Sequence, residues 1–203
     1  MSGLPDYAEL LCLTSFSFLR GASLPEELVE RAKRLGYSAL AVVDECSMAG
    51  IVRAHEAASE HGLKLLVGSQ FRVESATPFT LVVLACNLRG YGNLCEFVTR
   101  LRRASEKGSY RLLHDEVDGE ALDDCVVIAV PERGLPSPQL EVLARWVLRE
   151  FPARGWLGVT LLRLLDDEVW LHKLRATREA TAVPLVAVGD VHMHVRSRKP
   201  LQD

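Results

Sequence analysis

Unbroken apolar runs of strand length recur along this chain, each separated from the next by turn residues or a helical pattern. That alternation limits the fold more than any other feature of the sequence. Runs at 39–43, 63–67, 79–85, 125–130, 156–162 and 184–188 carry almost no polar side chain, and 7–13 reads as a strand before them. A strand without apolar–polar alternation is buried on both faces, as in a parallel sheet covered by helices. Apolar residues at helical spacing predict helices over 25–35, 48–60, 91–104, 139–151 and 166–181. Ser23 reads as the cap of the first helix, with Gly36 and Gly62 as helix stops. Residues 69–74 read as a continuation of the third strand after a kink at Gly68, and the polar stretch 105–124 as an irregular excursion. Seven strands with intervening helices predict an α/β fold, and fit a βα barrel better than an open sheet.

At 203 residues, the chain is long enough to bury roughly 70% of its unfolded surface. A net charge of −3 supplies no general pull towards DNA or an anionic membrane. The five cysteines, Cys12, Cys46, Cys86, Cys95 and Cys125, are odd in number and form no CxxC pair, so they read as buried free thiols of a reducing compartment. No secretory leader opens the sequence and no apolar run reaches a membrane-spanning length. A cytoplasmic protein without a membrane partner is expected. Nucleotide P-loops, GxSxG elbows and GxGxxG turns are all missing from the sequence.

In a βα barrel the chemistry sits at the carboxyl ends of the strands. The last strand runs into Gly189, Asp190, His192 and His194. Side chains two apart point the same way, so a carboxylate and imidazoles share one face there. Asp190 and His192 are therefore the candidate metal ligands, against a reading in which the pair closes the strand end by hydrogen bonding. Asp44 is a further candidate ligand, although Asp44 and Glu45 also read as an acidic cap on the helix that follows. His55, His61, His114 and His172 read as solvated. Arg100, Arg102, Arg103, Lys107 and Arg111 near Tyr110 form a basic patch at a helix end, read as solvated rather than as a phosphate contact.

Several long stretches resemble one family. They are Tyr7-Ala8-Glu9-Leu10, Phe16 through Ser23, Pro25-Glu26-Glu27-Leu28, Ala41 through Gly50, and Gly189 through Asp203. Together they resemble the opening of bacterial error-prone DNA polymerases of the C family, whose first domain is a PHP (polymerase and histidinol phosphatase) domain. The resemblance implies that 1–203 is a single domain with the PHP fold, a distorted seven-stranded βα (TIM-like) barrel.

Active members of the family carry a multinuclear metal centre, and here the resemblance places Leu11 and Leu13 where two histidines belong. It places Arg20 at an acidic ligand, Glu45 at a histidine, Gln70 at a glutamate and Thr80 near another histidine. Asp190 and His192 alone clearly match. The implied function is a structural, metal-site-degenerate domain of a DNA-directed DNA polymerase used in translesion synthesis and DNA repair. The alternative is a metal-dependent phosphoesterase or 3′–5′ exonuclease. The implied cofactors are at most a single residual Zn or Mn ion here, and Mg for the whole polymerase. The implied partners are the polymerase's remaining domains, DNA, the sliding clamp and lesion-bypass accessory proteins.

Overall fold

The computed structural model describes residues 6–201; Gln202 and Asp203, the end of the last family-like stretch, lie outside the described residues. The elements are β1 (Ala8–Cys12), α1 (Pro25–Arg34), β2 (Ala39–Val42), α2 (Ile51–His61), β3 (Lys64–Val73), β4 (Phe79–Ala85), α3 (Leu88–Arg103), β5 (Cys125–Pro131), α4 (Ser137–Glu150), β6 (Gly155–Val159), α5 (Asp167–Thr181) and β7 (Leu185–Ala187). The α/β alternation expected from the sequence is the one found. Two compact units result, Met1–Ser69 with Gly189–Asp203, and Gln70–Val188.

In the first unit, β1, β2 and the first half of β3 are parallel, with Ala8 beside Ala39 and Ala39 beside Lys64. All four residues of β2 are buried. The unbroken apolar run exists because helices cover it: Leu28, Val29 and Ala32 of α1 and Ile51, Ala54, Ala57 and Ala58 of α2 share one core with Cys12, Leu40 and Val42. The returning segment lies on the other edge of β1. There Val191 N–H donates to the Leu11 carbonyl at 2.8 Å, and Leu13 N–H donates to the Val191 carbonyl at 2.8 Å. On the β2 side, the Cys12 carbonyl accepts Val43 N–H at 2.9 Å.

Ser23 does not cap α1. The first backbone N–H of the helix entry, on Leu24, donates to the Glu27 carboxylate at 2.9 Å, which frees the buried Ser23 hydroxyl for the C-terminal segment. The third strand does continue beyond Gly68, as expected: β3 is one strand of ten residues, Lys64–Val73.

In the second unit, β5, β6 and β7 are parallel, but β4 runs antiparallel to β5, pairing Phe79 with Pro131 through to Ala85 with Cys125. A wholly parallel sheet would need a crossover of a dozen residues or more between adjacent strands. Only residues 74–78 separate β3 from β4, so β4 must turn back. Leu140, Val159, Trp170 and Leu174 form a core between α4, α5 and β6.

The stretch 105–124 is less soft than its polarity suggests. Leu112 and Leu122 are fully buried, and the Arg154 guanidinium donates to the carbonyls of Gly119, Leu122 and Cys125. Among the described residues, no helix is long and apolar enough to cross a membrane.

Candidate functional site

Where β1 ends, Leu11, Cys12 and Leu13 are buried and the chain bends through Thr14 into a loop. Asp44, just past β2, is buried against that loop. Its Oδ1 accepts the Thr14 N–H at 2.9 Å and the Ser17 hydroxyl at 2.7 Å, while Oδ2 accepts the Thr14 hydroxyl at 2.7 Å. Ser17 Oγ in turn accepts Glu45 N–H at 2.9 Å, and Thr14 Oγ1 accepts Phe16 N–H at 3.1 Å. Both carboxylate oxygens are thus engaged by neutral donors from the first loop. The expected acidic cap is not formed: α2 begins only at Ile51, and Asp44 and Glu45 turn to partners 30 and 25 residues earlier, Thr14 and Arg20.

Glu45 is paired with Arg20 at 2.5 Å, both side chains being mostly buried. The Arg20 charge also acts on Asp190. Asp190 has a left-handed backbone (φ 50°), a conformation that aspartate tolerates better than most residues, and its Oδ1 lies 2.9 Å from His192 Nε2. Burial works to raise the Asp190 pKa. The His192 hydrogen bond, the His192 charge and Arg20 outweigh it and leave the carboxyl below its ordinary value.

His194 faces away from this pair. Its Nδ1 is 2.7 Å from Ser23 Oγ and 3.7 Å from Glu27 Oε2, and Arg198 also binds Glu27. Serine and carboxylate share one ring nitrogen, whereas a catalytic triad needs them on opposite nitrogens, so this trio is a tie and not a nucleophile.

Sequence reasoning gave no role to Glu9. It is buried in the middle of β1, where its Oε1 accepts Leu11 N–H and Gly189 N–H, each at 2.8 Å, and its Oε2 accepts the Tyr7 hydroxyl at 2.8 Å. A Cβ at Gly189 would stand 2.1 Å from Glu9 Oε2, which explains a glycine at the point where the last segment meets β1. The sequence signal was a charged residue inside an apolar strand.

Burial raises the Glu9 pKa despite those donors. The folded chain therefore holds this proton above the ordinary carboxylate value, and unfolding releases it. Stability from this group is full at low pH and falls as pH rises from about 4.5 through the raised value. In Glu9→Gln that fall is expected to vanish, seen as a flatter dependence of urea midpoint on pH. Parallel profiles for the two chains would contradict it.

In the second unit, Gln70 is buried with neither amide atom hydrogen-bonded among the described residues, and Thr80 lies half-buried in β4. Gln70→Met is expected to stabilise the chain by about 1 kcal/mol in chemical denaturation, because an orphaned buried amide is replaced by a thioether of similar size.

His55 and His172 are exposed, as expected. His114 instead packs beside Trp146, ring centroids 4.8 Å apart, and near Phe79. Of the basic patch, Arg100 lies over Phe97, Arg102 over Tyr110, and Arg111 pairs with Glu74 at 3.1 Å. The cysteines are all free thiols; Cys12, Cys46 and Cys125 are buried, but Cys86 is exposed. Among the described residues, no group of three or more His, Cys, Asp or Glu side chains is placed to hold a metal ion.

The sequence pattern of the PHP domain matches residues 9–130. The chain belongs to the PHP domain family. Over 97% of its length this PHP domain is 52% identical to an error-prone DNA polymerase from Methylococcus capsulatus, and over 98% it is 48% identical to one from Dechloromonas aromatica. A third, from Pseudomonas aeruginosa, is 50% identical over 97% of the chain. The matched regions make up only 18–19% of those proteins. Among solved structures, a putative metal-dependent phosphoesterase from Bifidobacterium adolescentis superposes with a TM-score of 0.69 at 17% identity, covering 93% of this chain and 88% of its own. An amidohydrolase from Chromobacterium violaceum superposes with a TM-score of 0.66, also at 17% identity and with the same coverage. At that identity the likeness concerns the fold alone.

Proposed function

We propose that this chain is the PHP domain of an error-prone DNA-directed DNA polymerase, and that the domain is structural here rather than catalytic. The observation that carries the reading is the 52% identity over nearly the whole chain with the Methylococcus polymerase. Residues 1–203 act as one PHP domain; the family match at 9–130 runs directly across the division at Ser69 and Gln70. The whole protein performs templated nucleotidyl transfer in translesion synthesis and DNA repair in the cytoplasm. Its polymerase site and Mg ions belong to the region outside the match. DNA, the sliding clamp and lesion-bypass accessory proteins are its partners, and the remaining polymerase domains are the direct partners of this chain.

The donor set does not fit a multinuclear metal centre. Leu11 and Leu13 offer no lone pair, and Asp44 has both oxygens committed to Thr14 and Ser17. Arg20 places a fixed positive charge beside Glu45 and Asp190, which repels a second cation. Asp190 and His192 are what remains, and they already satisfy each other at 2.9 Å. A single Zn or Mn ion there would have to break that bond and recruit further ligands. No hydrolytic step is therefore assigned to this chain, and the phosphoesterase or 3′–5′ exonuclease alternative rests on fold likeness alone.

Incubation of the purified chain with a 3′-labelled single-stranded oligonucleotide and with a phosphodiester dye ester, each with Mn or Zn, is expected to give no release above the protein-free control. Metal-dependent release that is abolished in His192→Ala would overturn the structural reading.

A further inference from the structure

The loop between β6 and α5 exposes an apolar cluster that nothing in the chain's own core requires. Leu161, Leu162 and Leu164 are each about half exposed, Leu165 wholly so, and Val169 stands exposed on the first turn of the helix. A contiguous set of large exposed apolar side chains on a globular protein marks an interaction surface more often than chance.

The loop is also held in one shape. Arg133 bridges Asp166 at 2.7 Å and Asp167 at 2.9 Å, and donates to the Thr160 carbonyl at 3.1 Å. Its guanidinium lies over the Trp170 ring, whose core position anchors α5. Asp167 accepts the backbone N–H groups of Leu162 and Leu164 at 3.4 and 3.3 Å, and Arg163 between them takes the left-handed conformation (φ 59°). A rigid apolar loop loses little entropy on docking, which is what a preformed binding element needs.

We propose that this leucine loop is the docking element through which the chain packs against the rest of the polymerase polypeptide. The inference rests on the structural reading above and names the contact. The occupant follows from length: relatives that match 97–98% of this chain, the loop included, carry about four-fifths of their residues outside the match. Arg133 and Arg163 stand against Asp166, Asp167 and Glu168, so the surface offered is apolar with a small negative net charge, suited to an apolar groove rather than to nucleic acid.

The test compares hydrogen exchange at residues 161–169 in the isolated chain and in the chain joined to the remaining polypeptide of the Methylococcus polymerase. Exchange at least about tenfold slower in the joined protein is expected. Equal rates in the two would overturn the proposal. So would slow, concentration-dependent exchange in the isolated chain, which would make a second copy the occupant. The double variant Leu165→Ser and Val169→Ser keeps the melting temperature of the isolated chain, since these are the two most exposed side chains of the cluster, and abolishes the protection in the joined protein. Protection retained in that variant would also overturn it. Tight metal binding with the loop still protected would sink the structural reading and leave the docking surface standing. An unprotected loop without tightly bound metal would do the reverse.

Discussion

The double variant Leu11→His, Leu13→His is expected to lose about 4–6 kcal/mol of stability, close to the whole margin of an ordinary domain. Both leucines are essentially inaccessible to water. Each replacement forfeits about 2 kcal/mol of apolar burial and leaves imidazole nitrogens without designated partners. A functioning metal centre would reverse the sign, because ligation would more than repay the buried imidazoles. Here Arg20 sits paired with Glu45, and Asp44 is occupied by hydroxyl and amide donors. Restoring two ligands therefore restores no site. Urea unfolding followed by circular dichroism, with and without added Zn, reads both outcomes: a large loss that Zn does not recover is expected. A variant as stable as its parent, or one rescued by Zn, contradicts the account.

Asp44→Ala is the second large effect, at about 3–4 kcal/mol. Three donors lose their acceptor at once in a buried setting, and each unsatisfied group costs about 1 kcal/mol or more. The loss is expected to be the same in EDTA as in Mn, because the carboxylate acts as a hydrogen-bond acceptor for the loop after β1. Asp44→Asn keeps one acceptor oxygen and is expected to cost roughly half as much. If Asp44 were a metal ligand, the two buffers would give different losses for the alanine variant.

Much of the fold was legible because burial on both faces writes itself into composition. The run Ala39–Val42 has no polar residue because α1 and α2 share its core, and this can be read without coordinates. The direction of β4 was not legible from its own residues, since an apolar run looks alike in either orientation. Only the short connection at 74–78 encodes the reversal.

Local rules misassigned groups whose partners are distant in the chain. Ser23 looked like a helix cap but bonds His194, 171 residues away, and Asp44 looked like an acidic cap but serves Thr14 and Ser17. Glu9 was passed over because its environment is assembled from both ends of the sequence, through Gly189. At the candidate site, the substitution of Leu11, Leu13 and Arg20 for ligand-type residues was visible in the sequence through family resemblance. The hydroxyl and guanidinium contacts of Asp44 and Glu45 needed the coordinates.

Metal content tests the central claim most directly. The chain, purified without chelators and dialysed against excess Zn or Mn before removal of free ion, is expected to retain well under one ion per chain by elemental analysis. Two or three ions retained per chain, lost on substitution of Asp44 or His192, would contradict the assignment of a structural domain built over a dismantled metal centre.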